Sequence, residues 1–228
     1  MKRQGFQHIF LDFDRTLNDS DLVYERNLEG FFGLSGSDVL KQWGAVHRLV
    51  VKERPPKDHE NLSLHFDLLL ERVKAKGKGG AKRELQRRIK AAQEECWHAT
   101  ALFEESLPFL GRLHGLGYTL HIATGDYAKT KAKAIERQAG RRLFAMTFDE
   151  ETLGVGKGRR AYFDRALGKL GVAPANVSIV GDSLRNDIAP GLEVGLATVW
   201  VRRKNEANKG RVKPHLTVKA LVEAEGWF

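Results

Sequence analysis

Six polar residues stand out by type and by setting. Asp12 and Asp14 follow the apolar run His8–Leu11, and Thr124 follows the apolar run Tyr118–Ala123. Asp182 follows Val177–Val180, with Asp187 close behind it, and Lys157 lies in the glycine-rich stretch Gly154-Val-Gly-Lys-Gly158. Carboxylates without cysteines or paired histidines favour a hard cation that prefers oxygen ligands, and Mg²⁺ is the usual one. A lysine and a hydroxyl beside such a site suit a phosphoryl group. Ammonium, metal and backbone N–H groups can all neutralise its charge in the transition state.

Such groups act together only if the chain gathers them. The hydrophobic pattern predicts strands at His8–Leu11, Tyr118–Ala123, Leu143–Phe148, Val177–Val180 and Ala197–Val201. Helices are predicted between them at 107–114, 127–139, 159–170 and 187–194. Strands alternating with helices argue an α/β fold with a parallel, doubly wound sheet. Ligands bind such sheets at the C-terminal ends of the strands, where five of the six residues fall, and Lys157 in its loop would converge on the same edge. From about Asp21 to Thr100 the rhythm is different. Val39, Val46, Leu49 and Val50 recur at helical spacing, as do Leu62, Phe66, Leu69 and Val73. Pro55-Pro56 interrupts this region, and Lys74–Gly80 reads as a flexible loop.

In four places the sequence resembles the haloacid dehalogenase-like (HAD) superfamily. Ile9-Phe-Leu-Asp-Phe-Asp-Arg-Thr-Leu17 resembles its motif I, and Ile122-Ala-Thr124 its motif II. Lys157, ahead of a helix bearing Tyr162-Phe163, resembles motif III, and Val180-Gly-Asp-Ser-Leu-Arg-Asn-Asp187 motif IV. Each motif alone is weak, but all four occur in order at strand ends or in the expected loop. The resemblance implies Asp12 as nucleophile, forming an aspartyl-phosphate, and Asp14 as general acid and base. It implies Thr124 and the Gly125 N–H as phosphate ligands, with Lys157 offsetting the repulsion between Asp12 and the phosphate. It implies Mg²⁺ held by Asp12, the Asp14 main-chain carbonyl and Asp182, with Asp187 nearby, through water or orienting Lys157. Dehalogenating members lack the second aspartate, because a halide leaves without a proton, so Asp14 favours phosphate chemistry. Phosphatases of this type often carry Lys-Pro at motif III, whereas Gly158 follows Lys157 here. Lys129, Lys131 and Lys133 are less favoured for that role, since they follow motif II on a helix.

Roughly 90 residues separate motif I from the helix before motif II, against about 30 between Thr124 and Lys157. The resemblance therefore implies a core of residues 1–20 and 101–228, with an all-helical cap over 21–100. A cap closes over the site and excludes water, which favours a small phosphorylated metabolite over a macromolecule. Phosphoglycolate, sugar phosphates and nucleoside monophosphates all fit that class. A phosphomutase of the same superfamily is the nearest alternative.

Composition sets the outer limits. At 228 residues the chain is one large domain or a core with an insertion. Hydrophobic residues make up 42%, near the globular average, which argues against disorder. The single cysteine, Cys96, excludes an intrachain disulfide and a multi-cysteine zinc site. No apolar run approaches a membrane span, and the N-terminal apolar stretch ends at Asp12, so a soluble, cytoplasmic protein without membrane contact is expected. The net charge of +9 attracts anions of several kinds. Much of it lies in Arg72–Lys90 and Arg202–Lys213, and such runs are usually solvated faces. A non-catalytic, nucleic-acid-binding protein is the alternative from a different class, disfavoured by the complete set of site residues. Gly154–Gly158 lacks the first glycine and the Ser/Thr of a nucleotide-binding P-loop. His59 and His65 read as surface or packing residues and Trp43 and Trp97 as core anchors. Arg48, Lys52, Arg54 and Lys57 are candidates for selecting substrate.

Overall fold

The computed structural model describes residues 5–55, 58, 61–74, 78–203, 208 and 210–228. The chain divides into two units, one running to Asp19 and resuming at Trp97, the other spanning Ser20–Cys96.

The first unit holds β1 (His8–Leu11), α5 (Ser106–Gly115), β2 (Thr119–Ala123), α6 (Ala128–Ala139) and β3 (Phe144–Phe148). It continues with the single turn α7 (Glu150–Leu153), α8 (Arg160–Leu170), β4 (Val177–Gly181), α9 (Ala189–Val194), β5 (Ala197–Val201) and β6 (Leu216–Val218). The strands form one six-stranded sheet in the order β3-β2-β1-β4-β5-β6, and every pairing is parallel. Successive residues of a strand face opposite sides, and both sides are covered. Ile9 and Leu11 join the core beneath α5 and α6, whereas Phe10 joins Phe163, Ala166 and Leu167 of α8. That is why β1 and β4 read as continuous apolar runs rather than alternating ones.

The register sets the site. Leu11 lies level with Ile122 on one side and Val180 on the other. Asp12, Thr124 and Asp182 therefore leave the sheet at one edge within a residue of each other. The strand order also reverses direction here, since β2 and β3 extend one way from β1 and β4 to β6 the other. This is the crevice where open α/β sheets bind ligands.

The predicted strands and the four helices of this region are present, with ends shifted by a residue or so. The stretch predicted as one helix over 187–194 is a π-helical turn, Leu184–Ile188, running into α9. Pattern reading misses α7 and β6, which are too short to show a period.

The second unit contains α1 (Ser20–Leu28), α2 (Gly36–Glu53), α3 (Leu62–Arg72) and α4 (Lys78–Trp97), the last ending in the first unit. Ser35 caps α2 by accepting from the Asp38 N–H, and Asn61 caps α3 by accepting from Leu64. Its core includes Val39, Val46, Val50, Phe66, Leu69 and Leu85. Leu49 and Leu62, expected on these apolar faces, are exposed instead. Leu49 is one residue, about 100° of helix, away from the buried Val50, and Leu62 sits at the start of its helix. Helix α4 begins at Lys78, so Lys78–Gly80 belongs to a helix and not to a loop. The basic run is partly paired within this unit. Lys82 meets Asp67 at 2.7 Å, and Arg87 and Arg88 both meet Glu84. His65 is buried, its Nδ1 2.9 Å from the Asn61 carbonyl, and Trp43 packs on Phe66, as packing residues do. Arg48, Lys52 and Arg54 are exposed, while Lys57 and His59 lie outside the described residues.

Candidate active site

The turn after β1 builds the first part. The Asp12 N–H continues the sheet by donating to the Val180 carbonyl (2.9 Å). The chain then folds tightly, with Leu17 and Asn18 N–H both donating to the Phe13 carbonyl. Arg15 takes a left-handed conformation (φ 61°) inside this turn, a cost of order 1 kcal/mol for a non-glycine residue. Arg203 holds the turn from outside, donating to the Arg15 and Thr16 carbonyls and pairing with Glu105 (2.8 Å). The result fixes the Asp12 carboxylate. Thr16 Oγ1 donates to its Oδ2 (2.7 Å), and the Lys157 ammonium pairs with its Oδ1.

Lys157 reaches Asp12 from the loop between α7 and α8. Its backbone N–H donates to Glu150 Oε1 (2.9 Å), which pins the loop, and its Nζ also pairs with Asp187 Oδ1 (2.6 Å). A side-chain carbon at Gly158 would lie 2.8 Å from Asn186 Oδ1, so the glycine after Lys157 fits a tight spot. Burial alone would lower the Lys157 pKa, but the charges of Asp12 and Asp187 reverse this and hold it above the ordinary lysine value. Both aspartates thus favour its charged form.

The turn after β4 supplies the remaining carboxylates. Trp200 Nε1 donates to the Asp182 carbonyl (2.7 Å), and Arg15 Nε pairs with the Asp182 carboxylate (2.9 Å). Asp187 turns back under the strand end and accepts from the Ser183 N–H (2.9 Å). Gly181 permits this approach, because a Cβ there would overlap the Asp187 carboxylate. Burial raises the pKa of both Asp182 and Asp187, and repulsion from Asp12 adds to it against the pull of Arg15 and Lys157.

Asp12, Asp182 and Asp187 each bring an oxygen within 4.8 Å of the other two. This set fits a divalent cation of the Mg²⁺ kind. It is all carboxylate, and its members repel one another in a buried place that a cation would relieve. The Asp14 side chain does not join it but turns to Lys131.

Thr124 is buried at the end of β2, its N–H donating to the Phe148 carbonyl and its own carbonyl accepting from Tyr162 Oη (2.9 Å). Gly125 follows, and its carbonyl accepts from the Glu150 N–H. The chain then enters α6 through Tyr127, left-handed at φ 47°. Sequence reasoning passed over Lys131. It is 1% exposed, and its Nζ donates to Asp14 Oδ2 (2.9 Å), Thr124 Oγ1 (3.1 Å) and Asp126 Oδ1 (2.6 Å). A signal was there to read. Ala128, Lys131, Ala132 and Ile135 form the buried stripe of α6, and a lysine in such a stripe needs a partner. Trp97 is no core anchor of the helical unit. It stacks on Tyr127 (centroids 3.8 Å apart) and directs Nε1 to Asp126 at 3.3 Å. Among the described residues no helix is long and apolar enough to cross a membrane.

Comparison with known proteins gives the family. A family model described as haloacid dehalogenase-like hydrolase matches residues 6–195. The chain is 29% identical over 171 residues to the glyceraldehyde 3-phosphate phosphatase of Methanopyrus kandleri, covering 73% of this chain and 64% of that one. It is 31% identical over 105 residues to the pyrimidine 5′-nucleotidase YjjG of Escherichia coli, covering 46% and 47%. It thus spans about half to two thirds of the length of these relatives. Among solved structures, the HAD-hydrolase YfnB of Bacillus subtilis, described as bound to magnesium, superposes with a TM-score of 0.75 at 20% identity, over 99% of this chain and 98% of that one.

Proposed function

Because the chain belongs to the haloacid dehalogenase-like hydrolases, we propose that it hydrolyses a small phosphate monoester, with Asp12 as the nucleophile. One observation carries this reading. Asp12 is held on one oxygen by Lys157 and on the other by Thr16, at the edge where Asp182, Asp187 and Thr124 also emerge.

Asp12 attacks phosphorus, and its new oxygen–phosphorus bond forms as the ester oxygen departs. Asp14 gives that oxygen a proton. Water then attacks the aspartyl-phosphate, the Asp12–phosphorus bond breaks, and Asp14 takes the water's proton back. Thr124 Oγ and the Gly125 N–H hold phosphate oxygens, and Lys157 keeps Asp12 and the phosphate from repelling each other. Mg²⁺ would be held by Asp12, Asp182 and the Asp14 carbonyl, with Asp187 beside them. When bound it supplies the positive charge that lets an anionic nucleophile meet an anionic ester. The unit Ser20–Cys96 is inserted in the chain between motif I and motif II, the place in sequence where the resemblance expects a cap, and a cap's task would be to select the leaving group. The two relatives act on a triose phosphate and on pyrimidine nucleotides by name, which supports a small phosphorylated metabolite as substrate; a cytoplasmic location is part of the same proposal.

The test is phosphate release from a panel of sugar, nucleoside and carboxylic-acid phosphates, with Mg²⁺ and with chelator. Turnover that needs the metal and disappears in Asp12→Asn is the expected result. Turnover that persists in Asp12→Asn would remove Asp12 as nucleophile.

A further inference from the structure

Lys131 touches both Asp14 and Thr124, and its chemistry constrains them. An ammonium has three donors and no acceptor. Its three contacts are Asp14 Oδ2, Thr124 Oγ1 and Asp126 Oδ1. Whatever faces Lys131 must therefore accept. Asp14 Oδ2 accepts from the ammonium, which favours Oδ1 as the oxygen to carry a proton. Thr124 Oγ1 accepts through a lone pair, which leaves its own O–H directed elsewhere as a donor. Lys131 is 1% exposed, lies over the Phe13 ring at 4.9 Å, and sits within the buried stripe of α6. Asp149 anchors the start of that helix by accepting from the Ala128 N–H (3.0 Å).

We propose that Lys131 is a positioning residue that sets the hydrogen-bond polarity of both groups, aiming the Asp14 proton at the leaving oxygen and the Thr124 hydroxyl at the phosphate. The inference rests on the phosphatase reading above and deepens it. As the phosphorus–oxygen bond breaks, the proton on Asp14 Oδ1 passes to the leaving oxygen. Asp14 becomes a carboxylate whose Oδ2 is already satisfied by Lys131.

The test follows leaving-group dependence in Lys131→Met, which keeps most of the side-chain length and removes its donors. Values of kcat/KM are measured for phosphate monoesters whose leaving groups run from nitrophenolate to a simple alkoxide. A nitrophenolate departs without a proton, so misaimed acid catalysis should hurt it little. The expected result is a loss on the order of 10²-fold for alkyl phosphates and only a few-fold for nitrophenyl phosphate. Inhibition by inorganic phosphate should weaken several-fold as well, through Thr124. Lys131→Arg keeps donors and should fall between Met and wild type; it carries the test if the Met variant fails to fold. An equal loss across the series, with phosphate inhibition unchanged, would mean that Lys131 only pins α6, and would overturn the inference. Asp14→Asn separates this from failure of the underlying reading. If that variant shows no leaving-group dependence, Asp14 is not the acid, and the inference goes with it.

Discussion

Lys157 and Lys131 are both almost wholly buried, and each bridges two aspartates. Their surroundings differ. The partners of Lys157 are Asp12 and Asp187, with side chains 8% and 1% exposed. The partners of Lys131 are Asp14 and Asp126, 40% and 51% exposed. In both cases burial lowers the lysine pKa and the aspartates more than restore it. A sealed cluster is an electrostatic unit that cannot lose a member cheaply. An open cluster can let water replace one. The proposed nucleophile, Asp12, sits in the sealed cluster, where its geometry is fixed, and the proposed acid, Asp14, in the open one, where protons can come and go.

The largest effect should come from the nucleophile. Asp12→Asn should lower turnover by at least about 10⁴-fold, as losses of covalent nucleophiles do. Single-turnover assays check this, and a variant that still forms a phospho-enzyme would break the assignment. Next comes the sealed lysine. Lys157→Met leaves buried carboxylates facing one another without their cation, so it should cost about 3–5 kcal/mol of stability as well as activity. Urea unfolding of wild type and variant measures the first loss independently of the second.

A third pair extends the comparison to buried nitrogen bases without a carboxylate. At the start of β1 and in β2, His8 Nδ1 lies 3.1 Å from His121 Nε2, with His121 buried and His8 half-buried. Burial, with His8 as the lesser cause, pushes the His121 pKa down from 6.5 to about 4. The unfolded chain then binds a proton that the folded chain does not. This contribution is fully present above about pH 6.5 and is lost as pH falls toward about 4. The loss is at most about 3 kcal/mol. Urea unfolding at pH 7.5 and 4.5 should show wild type losing more than His121→Phe. Parallel losses would mean that the pair is hydrated and carries no such linkage.

Why some of this was legible in the sequence follows from the same distinction. Asp12, Thr124 and Asp182 could be placed because each ends an apolar run, and a parallel sheet brings such ends to one edge. Lys157 and Asp187 stood out by neighbourhood, in a glycine-rich loop and just behind Asp182, but their roles came with the family resemblance, since nothing local marks a lysine between glycines as buried. Lys131 was set aside as a less favoured alternative, Arg203 was read as part of a solvated run and Arg15 was given no role, all for one physical reason. Each acts through a partner far away in sequence, and a charged side chain looks like a surface residue until that partner is in place. The π turn at Leu184–Ile188 was hidden because its five residues, read by pattern, merge with the helix that follows. In the helical unit, periodicity found the buried faces of α2 and α3 and erred by one position at Leu49, where neighbouring apolar residues compete for the same stripe.

The smallest expected effect is also the sharpest use of the comparison. Lys131→Met removes a cation as buried as Lys157, so a count of buried ion pairs would predict a similar loss of stability. The openness of its partners predicts otherwise. Asp14 and Asp126 are half exposed and can take water in place of the ammonium, which puts the cost nearer that of an exposed pair, about 1 kcal/mol or less. For a chain of this size that is a fall in Tm of about 2–4 °C. Thermal unfolding of Lys131→Met beside Lys157→Met measures the difference directly. A loss as large as that of Lys157→Met would show that water does not reach the Asp14 cluster once Lys131 is gone. The acid would then sit in as closed a setting as the nucleophile, and exposure would no longer separate the two halves of the site.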